Sequence, residues 1–469
     1  MLEKNFESEH VGGDRKHMGR FWRRTLWTFI FPVTLAALFP VTLAAQTASS
    51  SAVALAQVVA YGTNVQTPLR FAGETLPGNQ ISLSMGASAF YDDNVLAMNT
   101  HRLGDEALSF NSRLGISRQT KRLKINFDYV PFFVLYRQID QYDRLNHSAD
   151  LDLTYRLTSR FSLGLRDSFS YQNGVYPSLT SQQIMSGPAS PTSLNQMIFP
   201  YTTRTLSNMA GLDLKFVKSQ RTSLTLSGGY NQLKFGNQAG AVQPLYNSRG
   251  ASGSLEYQYR LTEHTNFGLL LLHQDTTYQG GAVFGNRLRS QIESTFLSLG
   301  SRLSPTVTVT LYGGPQYVHT VGGSSAGSTV AGQFQPSGGG SITKELRDTA
   351  LDLSFQRSVS DSAGLYTSVI NTNITFGVRR RLAGRWEANL RGGAARADAS
   401  LFQLANGTTD AATGGIDFSR PIRGGSVLHI SYDTTHQLSK GTLPISATFD
   451  RNQVTISFDY RLKAISLGR

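Results

Sequence analysis

Ala149-Asp150-Leu151-Asp152-Leu153-Thr154-Tyr155-Arg156-Leu157 alternates apolar with polar or charged side chains without a break. Successive residues of an extended strand point to opposite faces, so this segment has one greasy face and one ionic face. The same pattern runs from Ala251 to Leu261, where Leu255, Tyr257 and Tyr259 oppose Glu256, Gln258 and Arg260. It returns at the end of the chain, where Val454, Ile456, Phe458, Tyr460 and Leu462 oppose Thr455, Ser457, Asp459 and Arg461.

Working outward from these stretches, roughly eighteen such segments fill residues 80–462, the first near 80–91 and the last near 451–462. Two are weak. Asp167 falls on the apolar face of the segment 160–171, and the segment 337–346 is mostly Gly and Ser. Every second connection is tight, as at Gln119-Thr120, Thr158-Ser159, Lys218 to Arg221, Thr262 to His264, Ser304-Pro305, Arg347-Asp348, Leu382 to Gly384 and Pro421 to Gly424. The connections between them are mostly longer, among them 172–203, 234–247, 320–336, 399–409 and 437–450. A soluble sandwich has no reason for this odd-even asymmetry, whereas a transmembrane barrel has short periplasmic turns and long extracellular loops.

The expected fold is therefore all-β, a transmembrane antiparallel up-and-down barrel of about 18 strands (16–18), with both termini periplasmic. A sheet in hydrocarbon must close on itself, because no backbone polar group can go unpaired there. Strands of ~9–11 residues suffice to cross when tilted. Tyr91, Tyr129, Phe133, Tyr171, Tyr257 and Tyr259 are candidates for the interfacial aromatic belts.

Composition agrees with this reading. Only 16% of residues are charged, while Gly reaches 45 of 469, which suits strands joined by turns better than helices. The formal charge of +13 would by itself suggest nucleic acid, but the bases are scattered and often adjoin acids, so a solvated mixed-charge surface is expected and no nucleic-acid partner. Cys is absent, which removes thiolate metal sites and Cys nucleophiles.

Arg20, Arg23 and Arg24 precede an apolar stretch from Thr25 to Ala45, interrupted by Pro32 and Pro40, and small polar residues follow. This describes a secretory signal peptide within 1–56, cleaved after Ala45 or after Ala56, with Met18 an alternative start. Residues 57–79 then form a periplasmic linker, 80–462 the barrel and 463–469 a C-terminal tail.

Tyr91-Asp92-Asp93-Asn94-Val95 ends the first strand, soon after the mature N-terminus, and alternating strands follow to the C-terminus. In this the chain resembles the β-barrel porins associated with bacterial exopolysaccharide export loci. The resemblance covers the whole barrel in pattern and this pentapeptide in residues. It implies an outer-membrane barrel linked to export of a surface polysaccharide. One departure is that the last strand closes on Leu462, where outer-membrane proteins commonly end on an aromatic residue read by the barrel assembly machinery.

Candidate sites follow from the alternation. The lumen is expected to be lined by Lys124, Asp128, Asp150, Asp152, Arg156, Arg166, Asp213, Lys215, Glu256, Arg260, Asp352, Arg379, Glu387, Arg391, Asp417, Asp459 and Arg461, giving a wet interior of weak ion selectivity. The connection 172–203 is the longest and carries no charge from Asn173 to Thr203. Tyr176, Gln182, Gln183, Asn195, Phe199 and Tyr201 there are candidates for a constriction loop, since amides, hydroxyls and aromatic faces suit sugars better than ions. Asp92, Asp93 and Asn94 present clustered oxygens that can hold Ca²⁺, or shape a strand end with no ion present.

His429 and Ser431, two apart on one strand, resemble the pair of outer-membrane phospholipases, but Leu428, Ile430 and Tyr432 claim the lipid side and turn the pair inward. No Gly-x-Ser-x-Gly lies on a strand-to-helix turn and no His-Glu-x-x-His occurs, so no catalytic residue and no cofactor are expected. The reading is thus an outer-membrane pore for a hydrophilic solute such as a polysaccharide, in contact with lipid and lipopolysaccharide. The alternatives are a non-conducting docking barrel of an envelope export complex and, third, a lipid-modifying enzyme.

Overall fold

The computed structural model describes residues 79–97, 99, 102–139, 143–172, 204–236, 247–279, 288–322, 330–360, 369–398, 407–441 and 448–467. The expected signal segment 1–56, nearly all of the linker, and the six candidate loop residues Tyr176, Gln182, Gln183, Asn195, Phe199 and Tyr201 lie outside them.

Eighteen long strands form one antiparallel ring: β1 Gln80–Asp92, β2 Asp105–Gln119, β3 Leu123–Tyr136, β4 Arg144–Arg156, β5 Phe161–Gln172, β6 Thr205–Val217, β7 Thr222–Phe235, β8 Asn247–Arg260 and β9 Thr265–Gln279; then β10 Leu288–Ser304, β11 Val307–Gly322, β12 Val330–Glu345, β13 Thr349–Ser360, β14 Val369–Arg381, β15 Glu387–Asp398, β16 Gly407–Pro421, β17 Ser426–Gly441 and β18 Phe449–Arg461. Each strand pairs with the next, and β18 pairs with β1 from Arg461↔Ser84 to Gln453↔Asp92, so no edge is left. Following the registers once round the ring gives a shear of about 22 residues, hence a tilt of roughly 40° and a backbone radius of roughly 17 Å.

Alternation decides which face meets lipid. In each strand the large exposed apolar residues share one parity, as with Leu212 and Leu214 on β6, Leu224 and Leu226 on β7, and Val454, Ile456 and Phe458 on β18. The interleaved positions face inward. The aromatic candidates Tyr91, Tyr129, Phe133, Tyr171, Tyr257 and Tyr259 all stand on the outward parity, and the Tyr129 hydroxyl meets His147 Nδ1 at 2.8 Å across β3 and β4. Asp167, the polar residue on an apolar face, also points outward. Its carboxylate accepts a hydrogen bond from Asn208 Nδ2 at 3.0 Å, so the lipid-facing polar group is paired within the wall.

The connections divide between the two ends. Eight tight turns close one end, at 120–122, 157–160, 218–221, 261–264, 305–306, 346–348, 382–386 and 422–425, and the longer connections close the other. Two of the tight turns need unusual backbone: Gly384 at φ 68°, and Gly424 and Gly425 at φ 73° and 84°, in the left-handed region that glycine enters without strain.

Several strands run further toward the long-loop end than expected, as β17 does to Gly441, and two boundaries carry a structural reason. β12 begins at Val330 instead of 337, so the strand continues through Pro336 ahead of the run Gly338-Gly339-Gly340. Pro336 cannot donate a ladder hydrogen bond, and β12 pairs β13 only from Gly338 to Glu345, so the proline lies just beyond that shared stretch. The three glycines let neighbours approach closely, since a Cβ on Gly339 would lie 2.4 Å from the Phe355 carbonyl oxygen. At the C-terminus, Ile465–Ser466 adds a two-residue strand, β19, paired with Gln80–Ile81, so the segment after Leu462 continues along β1.

Candidate functional site: the inner wall

All seventeen charged residues named for the lumen occupy inward positions, on the parity opposite the exposed apolar residues. Several are joined across neighbouring strands, as inward residues of adjacent strands are close enough to pair. Arg113 reaches Asp128 at 2.7 Å, Arg166 reaches Asp213 at 2.6 Å, and Arg379 reaches Glu387 at 2.9 Å. Ser168 donates to Asp150 at 2.6 Å, Gln258 to Glu256 at 2.9 Å, and Thr343 to Asp352 at 3.1 Å. Arg391 pairs with Asp433, and His429 lies between Asp417 and Asp459, 3.4 Å and 3.3 Å from their carboxylates. Lys124, Asp152, Lys215, Arg260 and Arg461 line the same wall without joining these pairs, and Arg156 donates to the Lys121 carbonyl.

The His429–Ser431 pair faces inward with the rest. His429 lies beside the two carboxylates, and the Ser431 hydroxyl, itself buried, has no hydrogen-bond partner. The two side chains therefore do not form the nucleophile–base contact that hydrolysis needs.

Asp92, Asp93 and Asn94 are engaged in shaping the strand end, the second of the two roles open to them. The Asp92 carboxylate is completely buried and receives Arg451 through Nε at 2.8 Å and through Nη2, while its other oxygen accepts the Asn94 amide at 3.0 Å. Asp93 accepts the Asn452 amide and side chain, both at 2.7 Å, and pairs with Arg102. Asn94 Nδ2 donates to the Asp450 carbonyl at 2.8 Å. The oxygens proposed for Ca²⁺ are thus used to fasten the first strand to the last at the long-loop end, and no cluster of His, Asp or Glu fit for a metal occurs among the described residues.

Sequence reasoning missed an apolar sector of the inner wall. Leu270 and Leu272 on β9, Ile292 and Phe296 on β10, and Val318 on β11 all point inward and are buried. Phe296 meets Tyr312 edge-on with centroids 5.9 Å apart. The signal was available in Leu269-Leu270-Leu271-Leu272, a run apolar on both faces where one-sided alternation would put polar residues at alternate positions.

That sector holds the upper end of β13 and β14. Val359 and Ile370, paired with each other, pack on Ile292 and Val318 from inside the ring. Buried Gln316 fixes the arrangement, because its Oε1 accepts the Val359 amide at 2.9 Å and the Ser337 hydroxyl while its Nε2 donates to Ser294 at 3.0 Å. Here β13 has left β12 and leans into the lumen, narrowing it from the long-loop end.

No family model and no curated protein matches the chain. Solved structures that align with it include Pseudomonas aeruginosa OpdO, 12% identical over 82% of this chain and 98% of that one with a TM-score of 0.41. OccK2 (OpdF) of the same organism, in complex with glucuronate, gives 12%, 82%, 98% and 0.41. The siderophore receptor PirA of Pseudomonas aeruginosa gives 9%, 83%, 81% and 0.41. At such distances the barrel stands on its own strand pairings, and these likenesses carry no function to it.

Proposed function

We propose that this chain is an outer-membrane pore for hydrophilic solutes, working in the export of a surface polysaccharide. The observation that carries the pore is the closed ring itself. A barrel of sixteen or more strands is too wide for its own wall side chains to fill, and this one has a radius of roughly 17 Å and a wall lined by charged and hydroxyl groups. Its apolar outer face requires a membrane, and its long connections belong on the outside of the cell, which leaves both termini periplasmic after removal of a signal peptide. The polysaccharide link rests on the Tyr91–Val95 resemblance alone.

The test is reconstitution of the full mature chain into a planar bilayer. Discrete, ohmic conductance steps support the pore. A correctly folded barrel that never conducts and instead co-purifies with periplasmic proteins is the docking barrel, the second reading, which the inward-leaning ends of β13 and β14 favour.

A further inference from the structure

Part of the basic excess, scattered along the sequence, is gathered in the fold. The eight tight turns together hold eight Lys or Arg and only two carboxylates, Glu263 and Asp348. Lys121, Arg160, Arg221, Arg347, Arg385 and Arg423 represent six of these turns, and each is exposed. None of the eight turn cations forms an ion pair with a carboxylate among the described residues. The opposite end behaves otherwise: Arg102, Arg289, Arg396 and Arg451 are matched there by Asp93, Asp275, Asp410 and Asp92. The short-turn rim is therefore openly cationic, whereas at the other end several of the described arginines are paired with carboxylates.

Beyond the turns, bases at this mouth point both ways: Arg118, Lys344, Arg380 and Arg420 stand on the outward parity, and three others face the channel. Arg260, Arg302 and Arg461 end their strands at the short-turn mouth on inward positions and are exposed, and Arg302 donates to the Pro305 carbonyl at 2.8 Å instead of to an acid. The outward bases suit lipid phosphates, whereas the inward three have no lipid to meet. Like-signed charges around a low-dielectric mouth focus the field and raise the local concentration of oppositely charged solute.

We infer that the short-turn mouth is an electropositive funnel that captures an acidic polysaccharide, one whose repeating carboxylates engage several turn cations at once. This deepens the pore reading and rests on it for the passage of that chain, although capture itself does not require conduction. The turns lie on tight hairpins spaced around the ring, so a polymer of regularly spaced carboxylates gains avidity that a single sugar acid does not.

The experiment uses the detergent-solubilised full chain and three probes: polygalacturonate, neutral dextran, and vesicles containing phosphatidylglycerol. Binding to polygalacturonate at low salt is expected, with affinity falling about tenfold or more as ionic strength rises to a few hundred millimolar and the screening length shrinks. Dextran is expected not to bind. The variant Arg160→Glu, Arg221→Glu, Arg347→Glu, Arg423→Glu changes only exposed turn side chains, and its folding is checked by β-rich circular dichroism. It should lose polygalacturonate binding.

The inference is overturned by a folded wild type that ignores polygalacturonate, by binding that survives charge reversal, or by a rim that takes the anionic vesicles while leaving the polymer. Planar-bilayer recording separates the two claims. Conduction without polymer binding sinks the funnel and spares the pore, and binding without conduction does the reverse.

Discussion

Replacing Asp92 by Ala should destabilise the barrel out of proportion to the size of the change. Asp92 is completely buried, and the Arg451 side chain that it holds is 8% exposed. Removing the carboxylate takes from an enclosed guanidinium the counter-charge it hydrogen-bonds, a loss that costs about 3–5 kcal/mol, or roughly two to four powers of ten in the unfolding equilibrium. The Asn94 amide loses its acceptor in the same step. Removing both charges is a different perturbation, because neither half of the pair is left behind; Asp92→Ala with Arg451→Met should recover most of the loss, to within about 1 kcal/mol of wild type. Equilibrium unfolding in guanidinium, followed by tryptophan fluorescence, reads both variants. A single variant costing less than about 1 kcal/mol, or a double variant no better than the single, would refute the view that this pair fastens β1 to β18.

Other consequences follow from the wall. Gln316→Leu strips the Val359 amide, the Ser337 hydroxyl and Ser294 of a shared partner, so a loss of about 1–3 kcal/mol is expected together with a larger unit conductance as the ends of β13 and β14 swing out; an unchanged conductance contradicts their inward position. On the lipid face, Asn208→Leu should destabilise by about 1–3 kcal/mol because it strands Asp167, while Asp167→Leu with Asn208→Leu should restore or exceed wild-type stability; equal loss in both variants counts against the outward placement. Gly339→Val drives a side chain into the Phe355 carbonyl and should abolish the compact species that resists denaturation by detergent on unheated gels. If that species persists in normal yield, β12 and β13 are not as close as described.

Much of the architecture could be read before any coordinates. Period-two alternation in segments such as Ala149–Leu157 needs only local geometry, and the odd-even connection lengths report the two ends of the cylinder directly. What escaped was of another kind. β12 was expected only from 337, just after Pro336, and the departure of β13 from its neighbour makes a proline harmless there. The inward leucines of β9 were hidden because a run apolar on both faces leaves the parity undefined. Asp92 left two roles open, and its partner Arg451 was out of sight because it lies at the far end of the chain and meets Asp92 only when the ring closes. The cationic rim was invisible for a related reason: one or two bases every forty-odd residues look scattered until hairpins bring each of them to the same end.

The central claim is that lipid bathes one face of each strand while water bathes the other. The chain has no native Cys, so single cysteines can be placed at successive positions of β4 and challenged, in reconstituted vesicles, with a membrane-impermeant charged thiol reagent. The account predicts rapid modification at Asp152→Cys and Thr154→Cys and none at Leu151→Cys and Leu153→Cys. Equal reactivity at all four positions, or the reverse alternation, would contradict it.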